Sequence, residues 1–184
     1  MMTITTEFRE QLIAAIPGLR AFGLSLTARN DRADDLVQET LMKAWKHYDS
    51  FQPGTNMKAW LYTILRNEFY TQLRKRKREV EDADGVYSGR VAVHAEQEGH
   101  LDMADLRIAL AKLPEDQREA IILVGASGFS YEEAAEICKV AVGTIKSRVN
   151  RARARLAVLM QIGVEEKFGP DAHTEAVLAS SYRG

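Results

Sequence analysis

This chain of 184 residues contains a single cysteine, few histidines and no apolar run long enough to cross a bilayer. Cys138 cannot form an internal disulfide, and we interpret it as a small core residue in a reducing compartment. The N-terminal segment MMTITTEFREQL has polar and acidic residues where a cleavable signal would need an apolar stretch. We therefore expect a cytoplasmic protein that does not insert into a membrane.

The sequence also lacks the spacings that carry catalysis or metal binding. Its four histidines show no zinc-ligand spacing with Cys138 or with each other, and no glycine-rich phosphate loop is present. No histidine or acid is positioned by sequence to activate Cys138, so a hydrolase is the weakest alternative. We predict that the chain is not an enzyme and needs no cofactor or metal.

The net charge of −1 conceals a strong segregation of charge along the chain. Residues 66–78 contain six cations against Glu68 alone, and residues 138–163 contain six cations and no acid. Between these segments, residues 79–105 carry eight acids against Arg90. This pattern predicts two cationic surfaces joined by an acidic connector, and cationic surfaces favour nucleic acid as a partner.

Hydrophobic periodicity predicts an all-α fold with two small helical domains and no β-strand. We place the first domain at 1–78, a flexible acidic linker at 79–100, the second domain at 101–162 and a C-terminal extension at 163–184. The linker assignment follows from its glycines, its acids and its lack of a sustained helical period.

In the first domain we predict three helices. The first is interrupted at Pro17-Gly18, the second is capped by Asn30 or Asp31, and the third begins near Met57. An apolar face that includes Trp45 is expected on the second helix, and Trp60 and Ile64 on the inner side of the third.

Residues 130–156, SYEEAAEICKVAVGTIKSRVNRARARL, have the layout of a helix-turn-helix. Ser130 is the expected N-cap of its first helix, and Glu133 can complete a capping box. From Gly143 onward, apolar residues recur at steps of three and four, which predicts one buried stripe on a second helix: Ile145, Val149, Ala152, Leu156 and Leu159.

The opposite face of that second helix carries Lys146, Ser147, Asn150 and Arg151. In the major groove, Lys or Arg reads guanine, Asn reads adenine, and Ser reads either, while flanking arginines pair with phosphates. We expect the flanking role for Arg148, Arg153 and Arg155. The alternative is a solvated basic face on an ordinary surface helix.

The third helix carries a cationic and aromatic row at steps of four: Lys58, Tyr62, Arg66, Tyr70 and Arg74. Cations can follow phosphates and aromatic rings can stack on unpaired bases, so the row suits single-stranded DNA. Thr55, Asn56 and Trp60 could hold a base taken out of the duplex. The alternative is that the aromatic residues pack and the cations are merely solvated.

Three segments, in this order and spacing, resemble the extracytoplasmic-function (group IV) sigma factors of bacterial RNA polymerase. They are ADDLVQETLMKAW at 33–45, FQPGTNMKAWLYTILRN at 51–67 and LPEDQREAIILVGASGFSYEEAAEICKVAVGTIKSRVNRARARL at 113–156. The resemblance spans nearly the whole chain. It implies a sigma factor that binds core RNA polymerase and directs transcription from promoter DNA.

The resemblance also implies roles for individual residues. At the −35 element, Lys146, Ser147 and Asn150 would meet base edges, with Thr144, Arg148 and Arg151 near phosphates. Residues Asn56, Trp60 and Asn67 would lie at the −10 element. The clamp coiled coil of the polymerase β′ subunit would meet Asp35, Gln38 and Glu39.

Two further features come from the same resemblance. Lys139 occupies a turn where the family usually has glycine, so a positive φ there would cost about 1 kcal/mol. The segments CKVAVGTIKSRVNRARA and FGPDAHTEAVL are similar to the alphaproteobacterial general-stress-response branch, whose members are held inactive by a small anti-sigma protein.

Two other classes remain as alternatives to a sigma factor. A sigma mimic would only sequester an anti-sigma protein, and such a module has no need of DNA-facing cations. A dimeric helix-turn-helix repressor would leave the first domain unexplained.

Overall fold

The computed structural model describes residues 5–81 and 101–160, and within them every regular element is helical. Residues 5–81 are termed the first module here, and residues 101–160 the second module. Most of the predicted linker and all of the predicted C-terminal extension lie outside the described residues. The third helix ends at Glu81, so it continues past the predicted boundary at residue 78.

The first module consists of α1 (Thr6–Thr27), α2 (Asn30–Lys46), a short 3-10 turn (Tyr48–Ser50) and α3 (Met57–Glu81). The three α-helices pack on one another around buried apolar side chains. The largest of these are Tyr62, Phe22, Leu19, Leu36, Leu61 and Leu65. Thr40 is buried as well, and its hydroxyl donates to the Leu36 carbonyl at 2.7 Å.

Two predictions about helix boundaries in this module were wrong. Helix α1 runs through Pro17 without a break, because Pro17 lies on the exposed side, where water can satisfy the carbonyl that its missing N–H leaves free. Helix α2 has no side-chain cap, and its N-cap is Arg29. The Asp31 carboxylate binds the Arg29 guanidinium instead, with Nε to Oδ1 at 3.1 Å.

Gly18 is required by a close approach between helices. A Cβ atom at this position would lie 2.8 Å from the Tyr62 hydroxyl oxygen, too close for any side chain to be accepted without movement. Because Gly18 has no side chain, the Tyr62 ring of α3 can pack directly against α1.

The second module consists of α4 (Leu101–Ala111), α5 (Glu115–Ile121), a π-helical turn (Ile122–Ala126), α6 (Tyr131–Cys138) and α7 (Val142–Leu159). Its core is formed where α7 packs on α5 and α6. Gly128, at φ 71°, ends the π-helical segment before Ser130 begins α6. Cys138 is 3% exposed, as expected of a core residue.

The two modules pack against each other. Helix α3 lies on α6, and α1 contacts α5 and the π-helical turn. Between the modules, the rings of Tyr62 and Phe129 pack in an edge-to-face arrangement with centroids 4.9 Å apart.

Candidate nucleic-acid interface

The helix-turn-helix is formed as the sequence predicted. The Ser130 hydroxyl accepts from the Glu133 backbone N–H at 3.0 Å, and the Glu133 carboxylate accepts from the Ser130 N–H at 2.9 Å. Lys139 then adopts φ 55° and ψ 48°, the left-handed conformation expected at this turn. The capping box sets where α6 begins, and the left-handed turn at Lys139 sets the direction in which the chain continues into α7.

Helix α7 buries one face and leaves the other open. Ile145, Val149 and Ala152 are at most 1% exposed, which confirms the first part of the predicted stripe. Leu159 is 39% exposed, so its predicted burial was wrong. Among the predicted DNA-reading residues, Ser147 is half-buried, and four are exposed: Thr144, Lys146, Asn150 and Arg151. The Lys146 ammonium lies 5.8 Å from the centre of the Tyr131 ring.

Arg148 differs from its neighbours on α7. Its Nε lies 3.2 Å from Oδ2 of Asp116 on α5, and its side chain is only 21% exposed. Arg148 thus ties α7 to the helix behind it, and its expected place near a phosphate stays a prediction.

The start of α3 presents a second polar cluster. The Asn56 Oδ1 atom accepts from the Ala59 backbone N–H at 3.1 Å, so Asn56 caps the helix. Its Nδ2 donates to Glu133 Oε1 of the second module at 2.7 Å. The neighbouring Thr55 is exposed, and its hydroxyl donates to the Gln52 carbonyl at 2.7 Å.

A recess of about 250 Å³ opens beside Trp60 and Asn67. Glu68 lies in its wall and accepts hydrogen bonds from the Lys43 ammonium and the Gln72 amide. Burial alone would raise the pKa of Glu68, but these two donors outweigh it and lower the pKa below its usual value. The remaining lining residues are His47, Ser50, Ile64 and Thr71.

The predicted cationic and aromatic row on α3 is not an open surface. Tyr62 is 1% exposed and stacks on Phe22 of its own module with ring centroids 4.9 Å apart. The prediction that Tyr62 faces single-stranded DNA was therefore wrong, because its ring is part of the core. Lys58 remains exposed, but its ammonium donates to the Ser127 carbonyl of the second module.

Arg66 is covered by the second module. Its Nε and Nη2 donate to the two carboxylate oxygens of Glu119 at 2.7 and 3.3 Å, and the Tyr70 hydroxyl lies 3.4 Å from the same carboxylate. Glu119 is 1% exposed. Burial, with the Glu119 charge beside it, raises the pKa of the Cys138 thiol to about 12.

The predicted polymerase-facing residues lie on α2. Asp35 and Gln38 are exposed and Glu39 is half-buried. Met42 and Trp45, one and two turns further on, are 60% and 45% exposed. The prediction that Trp45 packs inward was wrong, because the buried stripe of α2 runs through Leu36, Thr40 and Ala44 instead.

Sequence reasoning missed Glu119 and Glu133 as partners of α3. Glu133 was recognisable as a capping residue, but nothing in its spacing indicated a bond to Asn56. Glu119 ends a charged segment, EDQRE, that is typical of a solvated helix. Among residues 5–81 and 101–160, no acid, cysteine or histidine group has the arrangement of a metal site, and no helix is both long and apolar enough to span a bilayer.

Comparison with known proteins agrees with this architecture. Residues 12–79 match sigma-70 region 2, and residues 104–156 match sigma-70 region 4. The chain is 57% identical over 180 residues to the ECF RNA polymerase sigma factor EcfG of Rhodopseudomonas palustris (strain TIE-1), covering 98% of this chain and 99% of that protein. It therefore belongs to the sigma-70 family of RNA polymerase sigma factors, within the extracytoplasmic-function group.

Two further similarities support this. The ECF sigma factor SigM of Bacillus subtilis (strain 168) is 32% identical over 148 residues, covering 79% of this chain and 90% of that protein. The crystallised sigma factor RpoE of Bartonella quintana, in complex with the anti-sigma factor NepR, is 59% identical with a TM-score of 0.79, covering 86% of this chain and 99% of that one.

Proposed function

We propose that this chain recruits core RNA polymerase to the promoters of stress-response genes in the cytoplasm. The exposed face of α7, where amide and ammonium groups stand beside Arg151, is the observation that carries the proposal. Similarity to an EcfG sigma factor over nearly the whole chain supports the polymerase as partner. The proposed domain boundaries remain 1–78, 79–100, 101–162 and 163–184.

At the −35 element, Lys146, Ser147 and Asn150 read base edges in the major groove. Lysine, serine and asparagine side chains on adjacent turns of one helix suit this task, because they can reach different base pairs. Thr144 and Arg151 contact phosphates and set the register. Arg148 reaches a phosphate only after leaving Asp116, so its main role is to hold α7 in position.

At the −10 element, Thr55, Asn56, Trp60 and Asn67 surround an unpaired base. The recess supports this for Trp60 and Asn67, because both line it together with the hydroxyl groups of Ser50 and Thr71. Thr55 and Asn56 lie outside its lining, at the turn that precedes α3. Lys58 and Arg66 then follow the phosphates of the melted strand. Tyr62 is left out of this surface because it packs on Phe22.

The polymerase contact is assigned to the outer face of α2. Asp35, Gln38 and Glu39 offer acceptors to a basic surface, and the exposed Met42 and Trp45 add apolar area beside them. Exposed aromatic and methionine side chains are enriched at protein interfaces, so Met42 and Trp45 support a protein partner for this face. We assign this partner as the clamp coiled coil of the β′ subunit.

A small anti-sigma protein is the expected inhibitor. The Bartonella relative is named as a complex with the anti-sigma factor NepR, and it is similar to 86% of this chain. An inhibitor of that class would bind this chain outside the stress response.

Run-off transcription on genomic DNA fragments, with core RNA polymerase from the same cells, tests the proposal. Adding the chain should create new start sites that share two sequence elements. Asn150→Ala should change the preferred upstream element, because one base-reading amide is lost, whereas Arg9→Ala, an exposed cation on α1, should leave the start sites unchanged.

Two results would contradict the proposal. A chain that binds an anti-sigma protein but starts no transcript would be a sigma mimic. A chain that binds duplex DNA tightly as a dimer without core polymerase would be a repressor.

A further inference from the structure

An apolar cavity of about 410 Å³ is lined by α1 of the first module and by α4, α5 and the π-helical turn of the second. Pockets that hold small molecules have volumes of roughly 300 to 1,000 Å³, so this cavity is large enough for a ligand. Of the residues assigned above to DNA or to the polymerase, only Lys58 lines it. Most of its wall is apolar, from Ala21, Phe22, Leu24, Leu106, Leu110 and Ile122.

The charged residues that line this cavity all have the same sign. They are Lys58 of the first module and Arg107 and Arg118 of the second. None of the described residues in the lining is an acid. A cleft with apolar walls and charges of one sign concentrates ligands of the opposite charge. The cavity therefore favours an anion over a neutral or cationic ligand.

Arg118 is the cation whose hydrogen bonds are least complete. Its Nη1 donates to the Ala111 carbonyl at 3.5 Å, which is long for a hydrogen bond, and its Nε is buried with no partner among the described residues. Glu115, three positions earlier, interacts with the Arg118 charge but does not line the cavity. Because a buried donor without an acceptor is costly, the Arg118 fork suits the two oxygens of a carboxylate.

The other two cations can act on the same anionic group. The Lys58 ammonium has three N–H donors, and the Ser127 carbonyl accepts from it. Arg107 is exposed, so its long side chain can turn toward a bound anion. Since all three cations line one cavity, an anion held by Arg118 is attracted by Lys58 and Arg107 as well.

The uncharged part of the lining excludes a strongly polar ligand. A sugar or a nucleoside needs several free polar partners when it is buried. Here the Ser25 hydroxyl donates to the Phe22 carbonyl at 2.6 Å, and the Ser127 carbonyl accepts from Lys58. The ligand that fits is one anionic group on an apolar tail.

We propose that this cavity binds a fatty carboxylate, with the carboxylate at Arg118 and the alkyl tail between α1 and α4. The site adds a small-molecule ligand to a chain whose assigned partners are all macromolecules. It does not rest on the assigned function, because Arg118 has no part in DNA or polymerase binding.

Titration of the full chain with decanoate, below the concentration at which micelles form, tests the proposal. Isothermal titration calorimetry gives the affinity, and a ligand of the folded chain should also raise the unfolding midpoint as its concentration rises. Decanol and decyltrimethylammonium are the matched control ligands, since they keep the tail and lack the negative charge. Decanoate should bind roughly tenfold or more tightly than either, because it alone forms a charge-assisted bond to Arg118. Equal affinities for the three ligands would overturn the proposal.

Arg118→Met tests the head-group site, because it removes the guanidinium and keeps an apolar side chain. Decanoate binding should weaken by about tenfold or more, while decanol binding should not change. The matched control Arg9→Met replaces an exposed cation of α1 outside the lining and should keep both affinities. Unchanged decanoate binding in Arg118→Met would show that the carboxylate does not lie at Arg118.

Ala111→Leu tests the tail site and does not depend on how Arg118→Met folds. Ala111 lines the cavity, so a larger side chain leaves less room for the tail. In a series from octanoate to tetradecanoate, the carboxylate that binds most tightly should be shorter for Ala111→Leu than for the parent chain. The same preferred length in both proteins would argue against this cavity as the site.

Vesicles that contain phosphatidylglycerol separate a free carboxylate from a lipid surface. The chain should bind monomeric decanoate whether or not it binds such vesicles. Binding to the vesicles alone, with no binding of the monomer, would mean that the cations meet a membrane surface and would overturn the proposal. A failure of run-off transcription would leave all of these measurements unaffected, so the two proposals fail separately.

Discussion

The two surfaces assigned to DNA differ in one respect, although both lie on helices with similar cationic character. The face of α7 is open, and its polar side chains have few partners among the described residues except at Arg148 and Lys146. The face of α3 is covered, and three of its donors bind the second module. The residue pattern of a helix therefore predicts which face is functional, but it does not show whether another part of the chain covers that face.

The largest expected effect is that of replacing Tyr62. This change tests whether the Tyr62 side chain packs in the core or binds DNA on α3. Tyr62→Ala should lower the free energy of unfolding by about 3 kcal/mol or more, because it removes a ring packed between Phe22 and Phe129. Chemical denaturation monitored by circular dichroism measures this. Tyr62→Phe keeps the ring and is the matched control, with an expected loss below about 1.5 kcal/mol.

A stable Tyr62→Ala protein that had lost only single-strand binding would reverse this assignment. It would mean that the tyrosine faces DNA, as its place in the five-residue row at steps of four predicted. The difference between α3 and α7 would then be smaller than the structure indicates.

A smaller effect is expected for substitutions on the exposed face of α7. Arg151→Ala should weaken binding to duplex promoter DNA of any sequence and reduce the slope of log affinity against log salt by about 1, because one phosphate contact is lost. Fluorescence anisotropy between low and moderate salt measures both quantities. Arg148→Ala is the informative comparison, since Arg148 is held by Asp116 at 3.2 Å.

Arg148→Ala should mainly lower the free energy of unfolding, and it should reduce the salt slope less than Arg151→Ala does. A slope change as large as that of Arg151→Ala would show that Arg148 leaves Asp116 to reach phosphate in the complex. That result would restore the role expected from the sequence.

Local features of the chain were predictable because they depend on neighbours in sequence. The capping box of Ser130 and Glu133, the left-handed turn at Lys139 and the buried face of α7 all follow from spacing within a few residues. The helical fold and its division at an acidic segment followed from periodicity and charge. The exposed α7 residues were likewise assigned to the correct side.

Features that depend on distant parts of the chain were not predictable. Arg66 and Glu119 are separated by 53 positions. The row that contains Arg66 suits single-stranded DNA, and only the segment that contains Glu119 is typical of a solvated charged helix. The continuity of α1 through Pro17 depends on which side of the helix faces water. The outward turn of Trp45 depends on which residues of α2 the neighbouring helices cover. Periodicity in a single helix does not contain this information.

The smallest predicted effect compares the same backbone conformation in the two modules. Lys139 at φ 55° and Ala28 at φ 56° are the non-glycine residues with positive φ among those described, one ending α6 and the other ending α1. Replacing either by glycine relieves the left-handed conformation, which costs a side-chain-bearing residue about 1 kcal/mol, and this is partly offset by the greater freedom of glycine in the unfolded chain. Lys139→Gly and Ala28→Gly should therefore each raise the unfolding midpoint by about 1 °C in calorimetry, because about 1 kcal/mol without that offset would correspond to about 2–4 °C. If the modules unfold together, the two gains should appear in one transition and add. A gain confined to one of two separate transitions would show that the interface between the modules opens before either of them unfolds.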